Sequence, residues 1–520
     1  MAVTERTVAV PSLDDDVKVL HSLGYAQELA RRLSRFSNFA ISFSIICILA
    51  GGITSLAQAT SGVGGAAIGL GWPLGVLLSA CFGLSMAQIA SAFPTAGGLY
   101  HWGSILGNRF TGWLTAWFNL LGLVTVLGAI NVGSYFFLIG AFGPELHLTD
   151  SIPGLVIYLG GVTLLQALIN AYGISATARL TDFSGYLIFG TSLLLAIVCL
   201  TYTSHFDLTR LWRFSNYSGP SGGDVWPRVS LGWAFLLGLL LPIYTITGYD
   251  ASVHTSEETK HATLAVPRAL LSSILWSGAF GYLFLVAFLL MIPNMEEAAK
   301  QGWSVFFWAM EQRVPLATRN ILYGLIFLAQ LLCGLATVTS ASRMIYAFAR
   351  DGGLPASKHL AKVSPRHRTP LAAIWTTAGL SLLFVLGAKW CEAKGTPVYT
   401  VVVSCTVIFM FLSYAVPIAA GLTAFGGPKW PHMGPWNIGR AGYSIAAVLA
   451  IASMALILIV GVQPPNELAL NFTIGFLVVT AIIWFVFEQR RFKGPPVGGV
   501  IVARQAAIAA AEAALGKNPD

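Results

Sequence analysis

Runs of about twenty apolar residues recur along almost the whole chain, and they restrict the fold to very few possibilities. In hydrocarbon every main-chain N–H and C=O must find a partner inside the structure, so such runs become helices or a closed barrel. The runs are continuous rather than alternating, which excludes the barrel. The chain is 56% hydrophobic and 10% charged, against about 25% charged in a soluble domain. These features define an all-α polytopic membrane protein. Twelve spans are predicted, at residues 36–60, 69–92, 109–141, 152–172, 182–203, 231–256, 267–292, 319–350, 370–389, 397–424, 442–461 and 468–488. The third and eighth exceed what a bilayer needs and must tilt or extend past it.

Basic residues orient the chain. With the N-terminus inside, only Arg210, Arg213, Arg228, Lys300, Arg313, Arg319, Lys389 and Lys394 fall outside, which leaves 22 of the 30 Lys and Arg on the cytoplasmic side. Both termini are therefore expected in the cytoplasm, with the protein multi-pass in the cell inner (plasma) membrane. Residues 1–35 form a polar N-terminal segment without a cleavable signal, and residues 489–520 a cytoplasmic tail with good helix formers near its end. The net charge of +8 is scattered between spans, which is no nucleic-acid footprint. The segment NMEEAAKQGW is expected to form a short surface helix. Gly65–Gly69 and Gly71–Gly75 have the spacing of close helix packing.

Two spans carry interruptions. The first reads FSNFAISFSIICILAGGITSLAQA, with Gly51–Gly52 at mid-membrane followed by Ile53 and Thr54. The sixth reads LGWAFLLGLLLPIYTITGYDASVHT, with Pro242 and Gly248, and a bare carboxylate at Asp250. Paired breaks in two halves point to an inverted-repeat transporter, because a broken helix frees main-chain groups and exposes its dipole ends. The candidate binding surface is Gly51, Gly52, Ile53 and Thr54 from span one, and Tyr244, Thr245, Ile246, Thr247 and Gly248 from span six. Amides near Gly51–Ile53 would take a carboxylate; the carbonyls of Tyr244, Thr245 and Thr247 would take an ammonium. Tyr244 is also a candidate aromatic gate. Asp250 can pair with an amine, accept a transported proton, or cap the broken helix.

Further candidates are weaker. Glu257 and Glu258 could form an inner gate with Arg35, or with Arg31, Arg32, Lys260 and Arg268; a solvated ion-pair cluster is the plain alternative. Thr337 and Ser340 of span eight could ligate sodium, or could simply bond their own helix. His101, His254 and His261 are expected at the cytoplasmic surface, and the six Cys as small core hydrophobes. No cofactor, metal or nucleophile–base motif is visible. A channel should show a continuous polar stripe, and a membrane enzyme a cluster of His, Asp or Cys at one interface; the sequence shows neither.

Three segments carry a resemblance. ITGYDASVHTSEETKHATLAVPRAL around span six, SAFPTAGGLYHW at 91–102 and SASRMIYAFARDGGLP at 340–355 resemble signatures of the amino acid–polyamine–organocation (APC) superfamily. The first span is similar to that of its amino acid/choline transporter branch. The resemblance implies a five-plus-five inverted repeat (spans 1–5, residues 36–203; spans 6–10, residues 231–424), two extra helices at 442–488, and a central site between spans one, three, six, eight and ten. It implies alternating access. Span five lacks the Lys that some proton-driven relatives use there. The sequence reading is thus a secondary transporter, importing or exchanging a small amine-bearing solute, first an amino acid. Choline, ethanolamine or a polyamine is the alternative, and a transporter-like receptor or channel a remote one. Proton or sodium coupling, and monomer or homo-oligomer, stay open.

Overall fold

The computed structural model describes residues 13–392, 398–464, 466–496 and 499–515. Arg6, Lys394, Lys517 and the side chain of Cys391, weighed above, lie outside the described residues. Every regular element among the described residues is helical, apart from isolated bridges at Leu33–Thr259 and Phe425–Trp430. Among the described residues eleven helices are long and apolar enough to cross a membrane; the remaining expected span is the short apolar stretch Leu231–Thr245. It falls short because the sixth span is broken. The most apolar window of the first span is 94% buried and that of the last, Glu467–Arg491, only 17%. The first span therefore runs through the centre and the last lies at the rim, facing lipid.

Span one consists of Arg35–Ile46 and Ile48–Thr54, followed by Leu56–Thr60. Its break lies at Cys47, a left-handed residue at φ 33°, not at the expected Gly51–Gly52. The Gly51 amide is not free; it donates to the Cys47 carbonyl at 3.1 Å. The glycines serve close packing instead. A Cβ on Gly51 would sit 2.9 Å from Thr245 Cα of span six, and one on Gly52 would sit 2.9 Å from Phe284 of span seven. Gly65 and Gly69 likewise pack against carbonyls of Arg210 and Leu211, in the short 3₁₀ helix Leu208–Leu211 of a connection rather than in a neighbouring span.

Span six runs Leu231–Gly238 and Leu240–Thr245, unwinds over 246–250, and resumes at Ala251–His254. The unwinding falls where the sequence placed it, with Gly248 at φ 94°, a region other residues rarely enter. Span five begins at Ile174, eight positions before the expected start. Asp182, read as a boundary, sits within the helix and accepts from Ser37 at 3.0 Å. The termini meet at one end: Glu512, on the helix Gln505–Leu515, accepts from the Gln27 amide at 2.8 Å and lies 2.8 Å from His21. At the opposite end, the connections 204–230 and 293–315 fold over the bundle and include the expected surface helix, Met295–Lys300. The five described cysteines are buried and free, as expected of core residues.

Candidate functional site

The two breaks face one another, and side chains from neighbouring spans satisfy much of the main chain they release. Ser42 of span one donates to the Tyr249 carbonyl at 2.9 Å and accepts from the Ser252 amide at 2.8 Å. Asn38 donates to the Ser252 carbonyl at 2.9 Å. The Gly248 amide reaches the Tyr414 hydroxyl of span ten at 3.4 Å. Unpaired main-chain groups in lipid are costly, so these bonds are what makes the unwinding tolerable. No hydrogen bond to the carbonyls of Thr245 or Thr247 is formed among the described residues.

Beside these carbonyls lies a cavity of about 30 Å³ between spans one, three, six, eight and ten. Of the candidate residues, Gly51, Thr54, Tyr244, Thr245 and Thr247 line it; Gly52, Ile53, Ile246, Gly248 and Asp250 do not. Among the described residues no charged side chain lines it. The hydroxyls of Thr54, Thr245 and Thr247 each donate to a carbonyl one turn back, at 2.8, 2.7 and 2.6 Å. A hydroxyl has one proton to give, so all three offer only lone pairs to a ligand.

One lining residue escaped the sequence reading. Gln330 of span eight is buried, and neither its amide nitrogen nor its oxygen has a partner among the described residues. A Gln inside a long apolar helix was a signal in itself. The reading passed over it for the hydroxyls of Thr337 and Ser340, which do not line the cavity. Thr337 donates to the Cys333 carbonyl of its own helix at 2.9 Å, whereas the Ser340 hydroxyl is buried without a partner among the described residues.

Asp250 stands behind the cavity wall, fully buried. It accepts from Tyr414 at 2.8 Å and Asn119 at 3.1 Å, and His254 Nε2 lies 3.3 Å away. The carboxylate thus ties spans three, six and ten together. His254 is not at the surface, as the sequence suggested; like His101 it is wholly buried, while His261 is half-buried. Both buried imidazoles have polar partners: Asp250 lies one helical turn before His254, whereas Asp351 is distant in sequence from His101.

The cavity has unequal ends. Thr54 and Gly133 also line a vestibule of about 350 Å³, walled by Phe136, Phe137, Trp303, Phe306 and Phe307, toward the end away from the termini. Toward the termini lie two ion pairs. Glu258 accepts twice from Arg343, both bonds 2.9 Å, with both side chains fully buried. Glu257 accepts from Arg350 at 2.8 and 3.1 Å and from the Ala96 amide at 3.0 Å. The glutamates were foreseen, but their cations come from span eight. Arg35 is exposed and pairs with neither, because the 3₁₀ turn Ser256–Glu258 aims both carboxylates inward. Arg31 instead donates to the carbonyls of Thr259 and Ser256.

A second cluster adjoins these pairs. Asp351 accepts from Tyr25 at 2.7 Å and Tyr100 at 3.0 Å, with His101 3.2 Å away. The Arg350 guanidinium lies 4.0 Å over the Tyr25 ring. Burial pushes the Asp351 carboxyl up, but the bond and charge of His101, then Arg350 and Tyr25, outweigh it and hold its pKa below the ordinary value. Glu257 is held low against the same burial by Arg350 and the Ala96 amide. All three segments singled out in the sequence contribute: 91–102 gives Ala96, Tyr100 and His101; the exit of span six gives the glutamates; 340–355 gives Arg343, Arg350 and Asp351.

Comparison with known proteins agrees with this architecture. Residues 33–487 match the family model described as "Amino acid permease". The chain is 32% identical to the amino-acid permease BAT1 of Arabidopsis thaliana, over 94% of this chain and 97% of the relative. It is 33% identical to a BAT1 homolog of Oryza sativa subsp. japonica, over 92% and 94%. It is 26% identical to a GABA-specific permease of Saccharomyces cerevisiae, over 94% and 86%.

Proposed function

This chain belongs to the amino acid permease family and is an amino acid transporter, and from that premise we propose that it carries a small zwitterion of no net charge, held between the two helix breaks. The observation that carries the proposal is the lining of the central cavity, which holds no charged side chain among the described residues. A polyamine needs acidic partners in a dry site and choline needs an acid or an aromatic cage; the nearest acid, Asp250, is behind the wall and already bonded, and Tyr244 is the one aromatic ring among the described lining residues. The substrate ammonium would meet the carbonyls and hydroxyl lone pairs of Thr245 and Thr247. Its carboxylate would meet the Gln330 amide and the start of the second half of span one.

At about 30 Å³ the cavity holds one or two waters, which is less than any amino acid. The described state is therefore contracted, and substrate enters from the vestibule as spans one and six part. We take spans 1–5 and 6–10 as inverted copies, each led by a broken helix, and place the termini in the cytoplasm on the Lys and Arg distribution. The buried Asp250–His254 pair, beside the break, supports a proton over sodium as the coupling ion, since the sodium candidates Thr337 and Ser340 do not line the cavity.

Uptake into proteoliposomes tests the proposal. Neutral amino acids, including γ-aminobutyrate, should accumulate under an inward proton gradient without sodium. Accumulation of choline or a polyamine in preference to every zwitterion would overturn it.

A further inference from the structure

Arg35 was expected at a gate and is not there, which leaves an exposed arginine at the first turn of the most buried span. It shares a groove with another exposed arginine, Arg268 of the seventh span, Ala262–Met291. The groove is about 500 Å³ and runs between spans one, five and seven on the bundle's outer face. Neither guanidinium forms an ion pair or hydrogen bond among the described residues. The nearby carboxylate of Asp182 takes the Ser37 hydroxyl instead.

Below the arginines the floor is aromatic and continuous. Phe189 stands edge-on to Phe280 at 4.8 Å and to Trp276 at 6.0 Å, and stacks on Phe39 at 6.2 Å. Phe36 stacks on the exposed ring of Tyr186 at 4.7 Å. Trp276 is 51% exposed. Along span seven, Trp276 and Phe280 lie about 12 and 18 Å beyond Arg268 at 1.5 Å per residue. Two cations at headgroup depth above an apolar slot of that length match one class of molecule in charge and in shape.

We propose that this groove binds an anionic phospholipid, its phosphate between Arg35 and Arg268 and one acyl chain along Phe189, Trp276 and Phe280. Charge complementarity selects the occupant: a zwitterionic lipid brings its own ammonium and gains less from two guanidinium groups. The site is at the termini end, assigned above to the cytoplasm, where anionic lipids concentrate. It is distinct from the central cavity and does not depend on which amino acid is carried. The occupant braces the first half of span one against spans five and seven, so the transport rate should rise with the anionic lipid fraction.

The test is native mass spectrometry of the purified full chain, titrated with phosphatidylglycerol or phosphatidylcholine of identical acyl chains. Wild type should retain phosphatidylglycerol about tenfold or more better. The double variant Arg35→Gln/Arg268→Gln should lose the preference, and Arg35→Lys/Arg268→Lys should keep most of it, which separates charge from misfolding. Phosphatidylglycerol brominated on its acyl chain should quench wild-type fluorescence more than that of Trp276→Phe. Equal retention of the two lipids, survival of the preference in the Gln variant, or full displacement by soluble glycerophosphate would overturn the proposal.

Discussion

Replacing Gln330 by Leu should stabilise the protein and weaken substrate binding at once. The two effects come from the same atoms. The Gln330 amide nitrogen and oxygen are buried in the cavity wall without a partner among the described residues. An unsatisfied buried polar group costs about 1–3 kcal/mol; a water in the cavity recovers part of that, so the net relief from Leu is about 1–3 kcal/mol for the pair of atoms. In a chain of this size that is a rise in Tm of a few degrees, about 2–4 °C per kcal/mol at most. The substrate loses a hydrogen bond to a charged end, about 1.5–3 kcal/mol, which is about tenfold to a hundredfold in Kd. The assay is thermal unfolding of the purified protein, with and without the amino acid that shifts wild type most, together with binding of that amino acid. A lower Tm with unchanged Kd would refute the reasoning, because that pattern belongs to a packing residue.

Other perturbations address the closed end and the breaks. Glu258→Gln leaves Arg343 buried beside an uncharged partner, at a cost of about 3 kcal/mol that falls on the state closed toward the termini; Cys333, which lines the cavity, should then react with an impermeant thiol reagent from that side about a hundredfold faster. Gly51→Ala puts a Cβ 2.9 Å from Thr245 Cα and should destabilise by about 1–3 kcal/mol, with uptake falling more than expression. Asp250→Asn turns an acceptor toward two donors and should lower Tm and transport rate, while Kd of the folded fraction changes less than tenfold; a larger change in Kd would mean that the carboxylate touches substrate. Glu257 and Asp351 are both held below their ordinary values, so the closure they support is complete above the pKa of the same groups when released. It is lost as pH falls through the lowered values. Cys333 labelling from the termini side, divided at each pH by the labelling of a free thiol so that the thiolate fraction cancels, should therefore be flat from about pH 6 to 8 and rise only below about pH 4.

Helix content, most span positions and the break in span six were legible because each rests on local chemistry: apolar runs for spans, Gly248 with Pro242 for the unwinding. The break in span one was misplaced because Gly51–Gly52 looks like a backbone device. Its actual cause is long-range, since Ser42 and Ile45 meet the unwound part of span six while Cys333 donates its thiol to the Ile45 carbonyl at 3.2 Å. The gate shows the same division. Glu257 and Glu258 stand out in any reading of the exit of span six, but proximity in sequence pointed to Lys260 and Arg268, and a place just before span one pointed to Arg35, whereas the fold brings in Arg343 and Arg350 from 85 and 93 positions away. Burial of His101 and His254 was invisible for the same reason: each is buried beside a carboxylate that only the tertiary structure brings near or makes inaccessible.

The unequal ends locate the moving part. Toward the termini, two ion pairs join the exit of span six to span eight. If the proposed transport cycle opens this end, both pairs separate, and a shift of residues 251–258 as a unit relative to Leu240–Thr245 would part them together. The unwound residues 246–250 are the joint that permits this, and Asp250 sits on it, bonded to spans three and ten. A carboxylate at the joint, rather than in the cavity, can couple a change in its protonation to the position of the moving half without touching the substrate. On this reading the first contact between coupling ion and substrate is mechanical. Neutralising Asp250 should then change how readily the termini end opens, as read by Cys333, even in the absence of any amino acid.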